Sequence, residues 1–598
     1  MLLVIFFVIG ISFLIFGFVS SFSNESIDDL LSSQRENRKL FLLSVVFFLL
    51  FFNISLLLFS NRTEPYVRPH SYFFTLSLTV VPLVGQIFYT PQKNFYRLLI
   101  FGQIIVVSFS FILTLNSLYP TLLGADPWGH RIFSEEIISL GFIEQDGGYE
   151  TKYKLQPIFH LNTASFSIIS DTSYKISSLF SIGLTSFILI LFGIYITIKE
   201  IFYPKLALMT ALIVGFSNTI IRRVGIGIIP NTLGIAISIL VLGLVVKKEK
   251  DRVIIGLIFF LALIINLTHS FSYMIFILQT SIISIAAFIF RRKTFKSYLR
   301  IALGVFILGM VYWYWVARSF GHGLIRHFRF IIEGHEAEYV AAEGTGVGVS
   351  TTTMILGRSG IILFFTISIL GLIWIFVSER KFKQYSILGI GGLSYSLSVF
   401  AIAAGGLVGI SSRFWYYMMI VCGIAVVFGI FLFLSLFENL TIKKIGVVII
   451  VFGLTLVMFT SPHANVDNPN VGFHGSTRNA LKESEVSGAE FVVENISEED
   501  RIYSDSYYRG RIGYYHRYNI GYPHNRSLST LNSPIVNRTA FLESPGYIVL
   551  RSEMYEHGVS WREGFQKVSE EDTIELDGTR NKIYENNEVV IYSKLETQ

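Results

Sequence analysis

Apolar runs of helix-spanning length alternate with short polar breaks along most of the chain. A hydrocarbon core of roughly 30 Å needs about 20 apolar residues in a helix rising about 1.5 Å per residue. About fourteen stretches fit, at 1–20, 41–60, 71–90, 98–116, 175–198, 206–221, 227–246, 253–267, 271–290, 301–317, 360–377, 386–406, 415–437 and 445–461. The stretch 253–267 is short for a crossing and reads as tilted, half-buried or fused to its neighbour. Residues 1–20 have no basic residue ahead of the apolar stretch, so they read as a retained first helix, not a cleaved signal. From 462 onward the pattern changes to mixed polar sequence. A helix is expected over 485–496, with strands at 501–505, 546–551 and 588–593. No internal repeat is visible. The predicted fold class is therefore an all-α polytopic membrane protein, residues 1–461, followed by a small α/β domain, 462–598.

The polar breaks are of two kinds. One set is short and basic: Arg35, Arg38 and Lys39; Lys93 and Arg97; Lys199 and Lys205; Lys247, Lys248, Lys250 and Arg252; Arg291 to Arg300; Arg380, Lys381 and Lys383; Lys443 and Lys444. With fourteen spans all of these fall on one side, which the positive-inside rule makes the cytoplasm. The long loops 117–174 and 318–359 and the tail then lie outside. They mix acids, histidines, arginines and aromatics. The sequons at Asn495, Asn525 and Asn537 agree weakly with an outside tail. The expected location is the cell (plasma) membrane, multi-pass, with the polar chemistry extracytoplasmic.

Composition narrows the class. Among 598 residues 52% are hydrophobic and 15% charged, and the mean hydropathy is +0.57. A soluble domain carries about 25% charged residues. The net charge of +6 comes without a Lys/Arg tract interleaved with aromatics, so no nucleic-acid partner is expected. The single Cys422 excludes an intrachain disulfide, and no Cys/His metal spacing occurs.

The candidate chemistry gathers in the outer loops. Asp126, Pro127, Trp128, His130 and Arg131 follow directly on an apolar run. Proline favours the first helical turn, and Trp128, Ile132, Phe133, Ile137 and Leu140 recur at helical spacing. The pattern predicts an amphipathic interfacial helix with Asp126 at its start and His130 and Ser134 on another face. The alternative for Asp126 is an N-cap alone. Glu135 lies further along the same helix, and Tyr153, Pro157, His160 and Asn162 lead into a second short apolar stretch. Arg222 and Arg223 end the sixth span, Arg358 precedes the eleventh and Arg413 opens the thirteenth. Arginine grips phosphate through its planar fork, although a lone arginine at a helix end also serves as a snorkelling anchor. His269 sits in an outer hairpin, where a satisfied turn residue is the alternative. Loop 318–359 is dense in charge from Arg318 to Glu338 and reads as a lid or as a solvated surface loop.

These motifs, in this order and on one side, resemble the GT-C superfamily of membrane glycosyltransferases, which use polyprenyl-phosphate-linked sugars. The marks are Asp126 with Trp128 and His130; Tyr153 to His160; Pro230-Asn231 at the outer start of a span, where many members have a Pro-acid pair; Leu267 to Ser270; and Arg413-Phe-Trp-Tyr-Tyr417. The segment Ala489–Asn495 followed by Arg501–Asp505 is similar to the approach to the Trp-Trp-Asp-Tyr-Gly signature of archaeal oligosaccharyltransferases. That signature is absent here, and so is a clear second Asp-x-Asp. The resemblance implies an inverting transfer from a polyprenyl- or dolichyl-phosphate sugar to a glycan, protein or lipid acceptor. Asp126 and His130 would be catalytic. Arg413, Arg222, Arg223, His269, Glu135, Tyr153, His160 and Arg358 would bind substrate. No cofactor or metal ligand set is demanded, and a divalent cation stays open. An oligosaccharyltransferase or polysaccharide polymerase is the nearest alternative. A lipid or glycan transporter or flippase is the further one, but it would be expected to place ionisable groups at mid-bilayer or show symmetric halves.

Overall fold

The computed structural model describes residues 37–598 except 92, 125, 144–150, 248–250, 291–292, 319–320, 323–350, 378–407, 438, 462–463, 466, 468–479, 498–499, 501, 505–541, 543–544, 557–558, 562–563 and 595–598. The side chains of 151–152, 351–358, 376–377, 408–413, 415, 421, 556, 559–561 and 564–566 also lie outside the description. The expected spans at 1–20 and 386–406, and most of loop 318–359, fall outside it as well.

The membrane part is a bundle of apolar helices: α1 Arg38–Ser60, α2 His70–Leu78, α3 Val80–Tyr89, α4 Asn94–Ser117, α5 Asp126–Leu140, α6 Thr151–Lys154, α7 Ile158–Ser170, α8 Tyr174–Ser178 and, after a π-helical turn, α9 Thr185–Ile201. Then come α10 Pro204–Gly215, α11 Asn218–Gly225, α12 Pro230–Val246, α13 Arg252–Thr268, α14 Ser270–Phe290, α15 Phe295–Trp315, α16 Thr351–Val377, α17 Val408–Ser435 and α18 Leu440–Phe459. Among the described residues eight helical stretches are long and apolar enough to cross a membrane, and one bent pair passes the same test jointly. Helices α12 and α13 have 17 residues each, about 26 Å at 1.5 Å per residue, a little short of a full crossing. Leu42, Leu43, Val46, Phe47, Leu49 and Leu50 of α1 are exposed. Such a contiguous apolar face is what a helix turned to lipid presents.

The expected straight span 206–221 is a correction. It is two helices, α10 and α11, bent by 63° across Phe216 and Ser217. Arg222 and Arg223 therefore ride on a short helix turned away from the span. The expectation failed because apolar residues stand on both sides of the bend, Ala211 to Phe216 before it and Ile220 and Ile221 after it, and the polar break Ser217-Asn218-Thr219 is only three residues long.

Contacts sort the helix ends into two groups. At one end Phe111 stacks on Phe459 at 4.5 Å, Phe271 meets Phe414 at 5.2 Å, and Lys175 Nζ donates to the Asn116 carbonyl at 2.7 Å. At the other, Phe202 and Trp374 both meet Phe428, at 4.9 and 4.7 Å, Lys205 Nζ donates to the Phe88 carbonyl at 3.2 Å, and Lys444 lies 5.6 Å from the Tyr89 ring centre. The second end is the one carrying the short basic loops.

The C-terminal part carries helices α19 Glu483–Asn495, α20 Ser552–Glu556 and α21 Glu570–Thr579 and strands β1 Ile502–Tyr503, β2 Tyr547–Arg551, β3 Val559–Trp561, β4 Gly564–Gln566, β5 Lys582–Glu585 and β6 Val589–Tyr592. One sheet has the order β1-β2-β6-β5, with β1 and β2 parallel and the other pairs antiparallel. Strands β3 and β4 form a separate hairpin. Helix α19 packs Ala489 and Val492, with Leu481 just before it, against Val549, Val589 and Ile591, and Arg551 pairs with Glu485 at 2.6 Å in the interior. This part rests on the first-named end of the bundle: Thr121 Oγ1 accepts from the Leu481 N–H at 3.1 Å, and Tyr66 Oη accepts from the Glu483 N–H at 3.2 Å.

Candidate active site at one end of the bundle

Asp126 is the first residue of α5 and is exposed. A carboxylate there meets the positive end of the helix dipole. The loop before it must pass close to the turn after α11. Gly124 has φ +84°, and a Cβ built on it would sit 3.0 Å from the Ile226 carbonyl oxygen. Only glycine takes this backbone freely. Leu123 and Ile226 share a buried cluster with Leu115, Leu118, Tyr119 and Ala480. The start of α5 is thereby fixed beside the helix that carries Arg222 and Arg223.

Arg223 is buried, and its guanidinium lies 4.1 Å from the ring centre of Tyr416. Arg222 is half-buried. Tyr416 belongs to α17, next to Tyr417 and two residues beyond Phe414, whose ring meets Phe271. Arg413 lies near the start of α17 and Arg358 in the second turn of α16. Both side chains lie outside the described residues.

His269 joins α13 to α14 and is buried. Its Nδ1 accepts from the Ser272 N–H at 3.2 Å, and Ser272 Oγ donates to Asn231 Oδ1 at 2.7 Å. Asn231 sits at the start of α12, where the sequence led us to expect the outer end of a span. Gln156 donates through Nε2 to Ser270 Oγ, and Tyr312 Oη donates to the Leu155 carbonyl. The loop between α6 and α7 is thus anchored on the His269 turn.

His130 and His160 meet as a buried pair, Nδ1 to Nε2 at 3.1 Å. Tyr153 closes over both, with ring centres 4.8 Å from His130 and 5.4 Å from His160. Burial pushes the His130 ring down to about 3. It lowers His160 well below the ordinary histidine range too, with the neighbouring His130 adding to the effect. Both rings are neutral near pH 7. The interfacial helix also differs from the expected one. Trp128, Phe133 and Ile137 are buried as the stripe predicts, but His130 and Ser134 are buried too, and Leu140 is exposed. The reason is α7, whose Phe159 and His160 pack against His130 on what the pattern reads as a polar flank. Glu135 holds Arg131 through a 2.8 Å contact to Nε, one turn away. Burial raises the Glu135 carboxyl, and Arg131 opposes that rise.

The histidine pair predicts an acid sensitivity. From about pH 6.5 down to the lowered native values, an unfolded chain binds protons at these rings that the folded chain refuses, so stability falls as pH drops. Each ring contributes a slope of about 1.4 kcal/mol per pH unit. Thermal unfolding in detergent should show His160→Asn losing less stability than wild type between about pH 6.5 and 4; equal losses would contradict the pairing.

The sequence reading missed a second buried cluster at this end. Arg68 and Asp467 are fully buried and joined twice, Nε to Oδ2 at 2.9 Å and Nη2 to Oδ1 at 2.8 Å. The Arg68 N–H also donates to Asp467 Oδ2 at 3.0 Å, and Nη1 donates to the Phe111 carbonyl at 3.1 Å. The one signal was a lone acid just past the last span and a lone arginine just before an apolar run.

No family model matches the chain, and no curated protein matches it. Among solved structures the chain is similar to the apo oligosaccharyltransferase of Archaeoglobus fulgidus, at 12% identity and a TM-score of 0.49 over 76% of this chain and 70% of that one. It is similar also to the oligosaccharyltransferase AglB from Archaeoglobus fulgidus in complex with an inhibitory peptide and a dolichol-phosphate (12%, 0.46, covering 76% and 69%). A third is ArnT from Cupriavidus metallidurans in the apo state (11%, 0.45, covering 83% and 97%). At identities of 11–12% and TM-scores from 0.45 to 0.49 they assign the chain neither a family nor an activity.

Proposed function

We propose that the chain is an inverting membrane glycosyltransferase of the GT-C kind. It takes a single sugar from a polyprenyl- or dolichyl-phosphate donor and passes it to a glycan, protein or lipid acceptor. In this reading residues 1–461 are the catalytic membrane part, 462–598 form an extracytoplasmic unit, and the site end of the bundle faces out of the cytoplasm. The observation that carries it is that an exposed carboxylate, Asp126, and a buried guanidinium, Arg223, stand on segments brought together at one end of an apolar bundle by the close approach of Gly124 to Ile226. A charge held in apolar surroundings is costly and marks a functional place.

The Asp126 carboxylate takes the proton of the acceptor hydroxyl as its oxygen attacks the anomeric carbon. The bond from that carbon to the lipid phosphate oxygen breaks, and the electron pair leaves with the phosphate. Arg223, with Arg222 and Arg413, meets the negative charge that builds there. A single displacement inverts the anomeric centre. A monophosphate leaving group is within reach of protein cations alone. His130, buried and neutral, holds α5 against α7 through His160, and Tyr153 covers that pair.

The test is transfer from a radiolabelled polyprenyl-phosphate monosaccharide by the purified protein. Labelled product with inverted configuration is expected, and Arg223→Ala should lower turnover by about 10²–10³-fold, the usual cost of one transition-state charge contact. Use of diphosphate-linked oligosaccharides alone would move the protein to the oligosaccharyltransferase class. No transfer from any lipid-linked sugar would overturn the reading.

A further inference from the structure

Helix α11 is only eight residues long and is turned out of line with α10. So short a helix has little stability of its own, so something else must fix where Arg222 and Arg223 stand. Two buried amides do so, one at its own first residue and one from α4. At its start, Asn218 Nδ2 donates to Ser461 Oγ at 2.9 Å. At its end, Asn116 Nδ2 donates to the Gly225 carbonyl at 3.0 Å. Asn116 donates also to its own helix, at the Ile112 carbonyl, 3.0 Å away. The helix has no room to slide between these points. A Cβ on Gly225 would meet Ile112 Cγ2 at 3.0 Å, and one on Gly183 would meet the Val224 carbonyl at 2.8 Å.

The anchor at Ser461 is itself tied down. Asn465 Nδ2 donates to the Ser461 carbonyl at 2.8 Å, Arg68 Nη2 donates to Asn465 Oδ1, and Arg68 holds Asp467. A continuous buried hydrogen-bonded line thus runs from the start of α11 to the segment leaving the bundle for the C-terminal part. We propose that Asn116 and Asn218 are positioning residues that set the arginine pair of α11 for a lipid phosphate, and that Ser461, held through Asn465 and the Arg68–Asp467 pair, is the fixed post against which Asn218 is set. This rests on the reading of Arg223 as a phosphate contact.

The consequence is a split between binding and folding. Asn116→Ala and Asn218→Ala leave the arginines in the chain but free the helix that aims them. Binding of a long-chain polyprenyl phosphate should weaken by about tenfold, as expected for losing one net hydrogen bond's worth of preorganisation. Binding of the matching polyprenol, which lacks the phosphate, should not change. Amide hydrogen exchange in 218–225 should rise in both variants while the rest of the bundle keeps its protection. Asn218→Ser, which keeps a short donor, should recover part of the affinity. Arg223→Ala in the same assay separates the two claims. If it weakens phosphate binding and the asparagine variants do not, the positioning role is overturned and the phosphate contact stands. If Arg223→Ala binds as wild type does, the phosphate contact itself falls, and this inference with it. Should a variant fail to fold, the Asn218→Ser protein carries the same comparison.

Discussion

Replacing Asp126 by asparagine is expected to lower sugar transfer by about 10²–10⁴-fold, the range for loss of a positioned general base. The substitution keeps the shape of the side chain and removes its capacity to take a proton. Asp126 is exposed at the first turn of α5, so the fold has little to lose there. The exchange of charge costs at most about 1 kcal/mol of dipole stabilisation. The expected signature is therefore a fall in kcat with the donor KM nearly unchanged and the melting temperature close to wild type. Steady-state kinetics with labelled donor and thermal unfolding of the same preparation provide the check. Full turnover in the variant would remove Asp126 from the chemistry. A fall in activity that tracks a fall in melting temperature would make it a helix-start residue only.

The largest stability effect is expected at the Arg68–Asp467 pair. Both side chains are inaccessible to water and joined through two contacts under 3 Å. Removing one partner leaves the other charge buried without compensation, a cost of about 3–5 kcal/mol. Asp467→Ala or Arg68→Ala should thus destabilise the protein by that amount in denaturant unfolding. Replacing both by apolar residues of similar size, as in Arg68→Met with Asp467→Leu, should recover most of the loss, because no orphan charge is left. A double variant as unstable as the sum of the singles would show that the packing of these side chains, not their pairing, holds the segment. The position makes the pair more than a local matter: Arg68 stands between two spans and Asp467 follows the last one, so the contact closes the bundle over a separation of 399 residues.

What the sequence displayed of this fold was what period and length encode. Apolar runs of spanning length identified the helices from Arg38 to Phe459, and the strands at Tyr547–Arg551 and Val589–Tyr592 fell where short apolar runs stood between polar breaks. The separation of basic loops from mixed polar loops was legible for the same reason: Lys205 and Lys444 do share one end with Phe88 and Tyr89. Three features that depend on tertiary contact were not legible. The bend at Phe216–Ser217 is marked only by the short polar break Ser217-Asn218-Thr219 between apolar runs, and hydropathy averaged over a span's length reads across it. The inward turn of His130 depends on a partner helix thirty residues away, and a helical wheel of α5 alone assigns that residue to water. The amides and the ion pair that fix α11 are single polar residues whose meaning comes from long-range contact, and no spacing rule records them. Strand β5 and helix α21 were missed for a simpler reason: their apolar residues are too few to show a period. Of the proposed site, the sequence displayed the residue types, but not the burial of His130, His160 and Arg223 or the contacts that support them.

The most direct test of the central claim is an experimental map of the protein with a polyprenyl phosphate bound. The account predicts the phosphate within hydrogen-bond reach of Arg223, in a cavity that also opens to the Asp126 carboxylate, on the side of the membrane away from Lys205 and Lys444. A phosphate seated at the lysine-bearing end, or in a pocket that Asp126 does not share, would contradict it.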